Sequence, residues 1–231
     1  NRLARRVLVP DLLLGIAQGI SGGLFLFYFQ FVLGFERESQ TLVAIYFVAG
    51  LIGVPIWWAL ARRAGKHIAL QAALAYSALA TLLLLVTPSN EFTIATVFMV
   101  IAGLAQGGCI LLSRSLMADV VDDDELRTGS RRSGVYFGLL LMTSKLGLAA
   151  GPAAFGFLQV FGFDASLGAH NDAGALNALS ALFIGGPVLV YALAAVSLRK
   201  YPLDEKAQMA LAAAIDARHS ANSEKILGPS T

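Results

Sequence analysis

Charge is what this sequence has least of. Asp, Glu, Lys and Arg make up 14% of its 231 residues, against about 25% in an ordinary soluble domain. Too little charge remains to cover a water-facing surface. In its place 57% of the chain is hydrophobic, with a mean hydropathy of +0.69. The composition excludes the ordinary soluble class and points to a membrane protein. Cysteine is nearly absent too. Cys109 stands alone, so neither a disulfide framework nor a cysteine-based metal site can form within the chain. It reads as a small apolar residue of a helix. The three histidines, His67, His170 and His219, fall at or beyond the ends of the apolar runs. Gly19-Ile20-Ser21-Gly22-Gly23 matches G-x-S-x-G, but serine hydrolysis needs a partner base, and no histidine is placed to serve. The acidic run Asp119 to Glu125 lacks the second acidic motif that Mg²⁺-dependent prenyl transfer would need. No phosphate-cradling P-loop occurs. The chain is therefore not read as an enzyme, and no cofactor, resident metal or nucleic-acid partner is expected.

What is present in abundance is long apolar runs. A bilayer core of about 30 Å takes roughly 20 apolar residues as a helix. Six runs qualify: about 8–33, 41–60, 67–86, 92–115, 134–161 and 177–198. They are too long, and too little alternating, for barrel strands. The connections 34–40, 61–66, 87–91, 116–133 and 162–176 are polar, and Gly or Pro marks the breaks. The predicted fold is an all-α membrane protein, a six-helix bundle over 1–200 with a tail over 201–231. Short connections make successive helices antiparallel. Arg2, Arg5, Arg6, Arg62, Arg63, Lys66, Arg127, Arg131, Arg132, Arg199 and Lys200 fall on one set of ends, and Arg37 alone on the other. The positive-inside rule turns the first set, with both termini, to the cytoplasm. Leu203, Met209, Leu211 and Ile215 leave two readings of the tail, a surface amphipathic helix or a solvated segment, and 220–231 read as disordered. The start at Asn1, followed by arginines and an apolar run too long for a cleavable signal, leads us to expect further chain upstream.

Small residues recur inside the runs. Gly103/Gly107 and Gly147/Gly151 have the small-xxx-small spacing that lets helices approach closely. Lys145 is the sharpest chemical signal. It stands about eleven residues from Gly134, about 17 Å along a helix, too deep for easy snorkelling. An intramembrane charge at such depth usually faces a cavity or a partner, the alternative being a structural pair. Gln106, Thr143, Ser144 and Tyr28 are further polar groups that can line a pathway. The stretch from Arg114 onward interleaves Asp119, Asp122, Asp123, Asp124, Glu125, Arg127, Arg131 and Arg132. Ion pairs of this kind can hold one conformation and break in another. Arg114, Asp119, Asp122, Arg127 and Arg131 are the candidate cytoplasmic gate, and the middle acids read as solvated. Asp11 reads as a helix-start acid favoured by the helix dipole. Trp57 and Trp58 read equally as pathway residues or interface anchors.

One stretch is familiar: Ser113-Arg114-Ser115-Leu116-Met117-Ala118-Asp119-Val120-Val121-Asp122, then Asp124 to Arg131, Gly134-Val135-Tyr136-Phe137-Gly138 and Lys145-Leu146-Gly147. It resembles the link between the tenth and eleventh helices of the glycoside–pentoside–hexuronide:cation symporters of the major facilitator superfamily. Arg62-Arg63-Ala64-Gly65-Lys66 looks like the turn after that superfamily's eighth helix. The helix layout matches over about 8–200, and the motifs over about 113–147. The resemblance implies a twelve-helix fold with this chain as its C-terminal half, in a bacterial inner membrane. It implies coupled uptake of a sugar or related solute with H⁺ or Na⁺, and a partner N-terminal six-helix half. It places Lys145 where the family's intramembrane lysine organises the cation and solute sites. Ser133 stands where the family often has Glu, and Asp124 where it often has an aromatic. Sugar-stacking aromatics are not evident on the fourth or fifth run, which keeps an amphiphilic solute open beside a sugar. A non-transporting membrane scaffold is the alternative.

Overall fold

The computed structural model describes residues 2–199, 201–202, 207–211, 213–215 and 217–218. Among these, six helical stretches are long and apolar enough to cross a membrane. The first is α1 (Arg2–Phe27), continued by a π-helical turn at Tyr28–Val32. It is followed by α2 (Ser39–Ala64) and by α3 (Lys66–Leu82), which closes in a 3₁₀ turn at Leu83–Val86. The fourth stretch is split into α4 (Phe92–Gly103) and α5 (Gln106–Thr128), and the fifth into α6 (Ser133–Leu148) and α7 (Ala150–Val160). The sixth is α8 (Ala173–Ser180), a π-helical turn at Ala181–Gly185, and α9 (Gly186–Ser197). Described residues 207–211, 213–215 and 217–218 are helical, with Ile215 buried and Met209 exposed. Asn1, Lys200, Leu203, His219 and the 220–231 stretch lie outside the described residues.

Glycine sets the sharp turns. Gly65 at φ 90° separates α2 from α3, and Gly129 at φ 77° caps α5 in the left-handed region, which L side chains avoid. At the opposite end Asp172 caps α8 by accepting from Gly174 N at 2.9 Å. In the loop before it, Asp164 accepts from Ser166 N at 2.8 Å and Ser166 Oγ at 2.7 Å. Those bonds to the charged form hold its carboxyl below the usual range.

The breaks inside the spans have identifiable causes. At the α4–α5 break two main-chain carbonyls are met by side chains: Trp57 Nε1 donates to Leu104 O at 2.9 Å and Tyr76 Oη to Ile101 O at 2.8 Å. Irregular backbone at membrane depth stands only when its polar groups are satisfied in this way. Trp57 is thus buried in the bundle, while Trp58 is exposed with the Arg62 guanidinium 3.9 Å over its ring. Only Trp58 keeps the exposure of an interface anchor. Pro152 sits just past the α6–α7 break, where its ring and missing N–H disfavour a straight helix.

The structure departs from the sequence expectations in two places. The stretch 116–133 is not a loop: α5 continues to Thr128, and only 129–132 are non-helical. The first span begins at Arg2, not near residue 8, so Asp11 lies nine residues into α1 and is buried at 5% exposure. It is not a helix-start acid.

A backbone seam fixes how α1 meets the fifth span. Asp11, Gly15, Gly19 and Gly23 recur every fourth residue of α1, as Thr143, Gly147 and Gly151 do across α6 and α7. This spacing puts each set on one face. A methyl added at Gly147 would come within 2.6 Å of Gly15 C, and one at Gly151 within 2.6 Å of Gly19 O. The two helices therefore run parallel with main chain against main chain, and Asp11–Thr143 is the rung that precedes the glycines. A second close approach joins α2 to the α4–α5 break, where Gly50 and Gly53 face Gly103, Leu104 and Gly107.

Candidate functional site

A cavity of about 680 Å³ opens between α1, α2, α3, the α4–α5 break and the sixth span. Phe25, Leu26, Val43, Phe47, Leu84, Met99, Leu148 and Phe183 give it apolar walls. Its polar pole is a triad from three spans. Gln106 Oε1 accepts from Tyr46 Oη at 3.0 Å and from Gln18 Nε2 at 3.4 Å. Gln106 opens α5 immediately after the break, so the broken helix delivers this amide to the cavity. Ser21, Ser77, Thr81 and Tyr191 add hydroxyls to the lining. Tyr28 stands behind it: its hydroxyl donates to Leu84 O at 3.2 Å and its ring stacks on Phe183 at 4.5 Å. Tyr28 therefore supports two lining residues.

Thr143 and Ser144 lead to a second constellation. Both hydroxyls lie 2.8 Å from Asp11 Oδ2, and Arg114 is the cation within electrostatic reach of that carboxyl. Lys145, the next residue, is exposed, and no carboxylate among the described residues lies within ion-pair distance of it. It stands on the span with the smallest buried share of the six, 22%. Lys145 and the Gln106 triad are thus not brought together within this chain.

The basic end carries an ionic girdle. Lys66 Nζ meets Asp119 Oδ1 at 2.5 Å, tying α3 to α5. Arg132 reaches back across the Gly129 turn to both oxygens of Asp124, each at 2.9 Å. Arg131 pairs with Glu125 at 3.1 Å and touches Asp122 at 4.0 Å. Arg127 pairs with Asp123 one turn back at 3.0 Å. Arg218 donates to Glu125 O at 2.8 Å. Arg114 is exposed and belongs to none of these pairs. The middle acids are not simply solvated: Asp124 and Glu125 are 5% and 7% exposed. Beside them a space of about 760 Å³ is rimmed by Arg2, Asp123, Asp124, Arg127, Arg132 and Pro202. The start of α1, the end of α5 and the residues after α9 therefore share one end of the bundle.

The girdle separates strong pairs from weak ones. Asp124 is nearly buried and doubly bonded, whereas Arg127 is 70% exposed at its side chain. Arg132→Ala should cost about 2 kcal/mol, the range for hydrogen bonds to charged groups. That is below the figure for a fully buried pair, because the Arg132 side chain is 49% exposed. Arg127→Ala should cost under about 0.5 kcal/mol. Thermal unfolding of both variants in the same detergent checks the order; equal losses would mean that burial of Asp124 does not matter.

Residues 1–205 match the family described as MFS/sugar transport protein. The chain is 24% identical over 188 residues to the sodium-dependent lysophosphatidylcholine symporter 1-A of Danio rerio, covering 80% of the chain and 35% of that protein. It is 28% identical over 187 residues to the inner membrane symporter YicJ of Escherichia coli, covering 80% and 40%. It is 23% identical over 207 residues to the putative glycoside/cation symporter YagG of the same organism, covering 90% and 45%. The chain thus spans less than half the length of these curated relatives.

Proposed function

This chain belongs to the MFS/sugar transport protein family, among its glycoside–pentoside–hexuronide:cation symporters, and from that premise we propose that it forms one six-helix half of a cation-coupled symporter. The family is one of transporters, not enzymes. The working unit pairs this half with a second six-helix half across the exposed face that carries Lys145. The basic end faces the cytoplasm, following the positive-inside rule. Rocking of the halves about a central site gives alternating access, with the ionic girdle at the cytoplasmic edge. The coupling cation is H⁺ or Na⁺. The bacterial symporter relatives support the inner membrane as its place.

The observation that carries the reading is the cavity with the Gln18–Gln106–Tyr46 pole. Its size falls among small-ligand sites, which are mostly apolar with a few placed polar groups. Those walls favour a solute with an apolar part over a bare sugar. A relative named for lysophosphatidylcholine supports the same choice, and the glycoside-named relative supports a glycosidic head. The triad holds the polar head, and Phe25, Phe47 and Phe183 enclose the apolar part.

Uptake of a radiolabelled alkyl glycoside and of a lysophospholipid into proteoliposomes tests this, with free sugar as competitor. An amphiphile should be taken up and free sugar should not compete. Gln106→Leu, which removes the shared acceptor of the triad, should weaken apparent affinity about tenfold, equivalent to about 1.4 kcal/mol. Uptake of free sugar in preference to its alkyl glycoside would overturn the amphiphile assignment.

A further inference from the structure

The Asp11 constellation stands apart from the lining of the cavity. Asp11 is buried at 5% exposure in α1, and its Oδ2 lies 2.8 Å from Thr143 Oγ1 and 2.8 Å from Ser144 Oγ. The same two hydroxyls also reach Leu140 O, at 2.9 and 3.0 Å. Two acceptors, Asp11 Oδ2 and Leu140 O, therefore compete for two hydroxyl hydrogens, since each hydroxyl donates once. With Asp11 ionised, both hydrogens point to the carboxylate. With Asp11 protonated, the carboxyl brings a third hydrogen, and the hydroxyls are free to turn back to Leu140 O. The oxygens stand at hydrogen-bond spacing, which suits a shared proton.

The position matters as much as the count. Asp11–Thr143 is one rung of the seam whose next rungs are Gly15–Gly147 and Gly19–Gly151. Glycine rungs hold by van der Waals contact alone, with no side chains to lock the register. The bonds at Asp11 are thus a polar fastening between α1 and α6. Several charged or titratable groups stand on the elements packed against α1. α6 carries Tyr136 and Lys145, and α9 carries Tyr191. α5 carries Cys109, Arg114, Arg127 and the acids from Asp119 to Glu125, while α7 carries none. Arg114 contributes its charge at Asp11.

We propose that Asp11 is a proton-carrying carboxyl of this half, whose protonation and release switch the fastening between α1 and α6. The step is a simple proton transfer. An O–H bond forms on the Asp11 carboxylate with a proton from water on the side where solute enters. It breaks when that proton passes to water on the other side, and nothing is oxidised or reduced. Its use in coupling rests on the symporter reading; the proton binding itself does not.

Infrared difference spectroscopy of the full chain in lipid, titrated in H₂O and D₂O, tests the proposal. A protonated-carboxyl band should grow as pH falls, shift on deuteration and vanish in Asp11→Asn. In Thr143→Val with Ser144→Ala, which removes both donors, the band should titrate at higher pH, because hydroxyl donors favour the charged form. This second variant carries the test if Asp11→Asn does not fold. The proposal fails if no titrating band is lost in Asp11→Asn, or if the band is indifferent to the loss of both hydroxyls. Asp11 is then a fixed structural acceptor. Loss of the band in Asp11→Asn with gradient-driven uptake intact overturns the coupling role of Asp11 and leaves the symporter reading standing. A normal band, with no gradient-driven uptake when this half is reconstituted together with its second six-helix half, overturns the symporter reading instead.

Discussion

Gly147→Leu should abolish folding. The first added carbon would already lie 2.6 Å from Gly15 C and 2.7 Å from Ile16 N, which is main chain and cannot rotate away. Relief requires pushing α1 off α6 along the whole seam, which would also part Thr143 and Ser144 from Asp11. Overpacking by a few methylenes in a core that can yield costs about 1–3 kcal/mol; here the obstacle is backbone, and the loss should exceed that range. Size-exclusion chromatography in mild detergent should show aggregate or no protein at all. Gly156→Leu is the matched control. No atom beyond its own stretch of helix backbone and its chain neighbours lies within 4 Å of a methyl placed there, and replacing a helical glycine gains up to about 1 kcal/mol. Its elution and melting should match or exceed the parent. Equal behaviour of the two variants would mean that the α1–α6 seam is not packed backbone to backbone.

Lys145→Met should leave the bundle standing and reduce solute uptake to background. Lys145 is twelve residues past Ser133 at the start of α6, about 18 Å along the helix. The ammonium is exposed and has no carboxylate partner among the described residues, so removing it breaks no ion pair seen within this half. Insertion studies put the cost of a lysine at the centre of a span at about 2.5–3.5 kcal/mol. Methionine should therefore fold at least as well, with a melting temperature unchanged or raised. The functional loss follows from the proposed role, an ammonium presented to the second half and its cation site. A Lys145→Met protein that melts normally and transports normally would remove Lys145 from the pathway. One that fails to fold would make the residue structural.

Hydropathy made the six spans and their common basic end legible, because length and charge placement decide both. Three features were hidden for physical reasons. Apolarity fades after Ser115, so the stretch beyond it reads as loop. The helix nevertheless runs on to Thr128, held by the Lys66–Asp119 pair and ended by the left-handed Gly129. That glycine was the signal available. The burial of Asp124 and Glu125 depends on Arg131 and Arg132 folding back over the turn, which local composition does not reveal. Asp11 was hidden most deeply. Its partners are 132 and 133 residues away, and a window along α1 cannot see them. The four-residue register that it shares with Gly15, Gly19 and Gly23 was the one trace in the sequence. Gln106, Thr143, Ser144 and Lys145 were all singled out as polar groups in spans. Folding sends them to different places: Gln106 to the cavity, Thr143 and Ser144 to Asp11, and Lys145 to the outer face.

The symporter reading meets its most direct test in proteoliposomes that hold this half together with its second six-helix half, loaded with a low concentration of alkyl glycoside or lysophospholipid, with the same solute outside. An inward gradient of H⁺ or of Na⁺ is imposed, each in turn. Symport predicts that internal solute rises above the external level under one of the two gradients, and falls back to that level when a matching ionophore collapses it. Solute that only equilibrates, to the same level and at the same rate with either gradient present or absent, would contradict cation coupling.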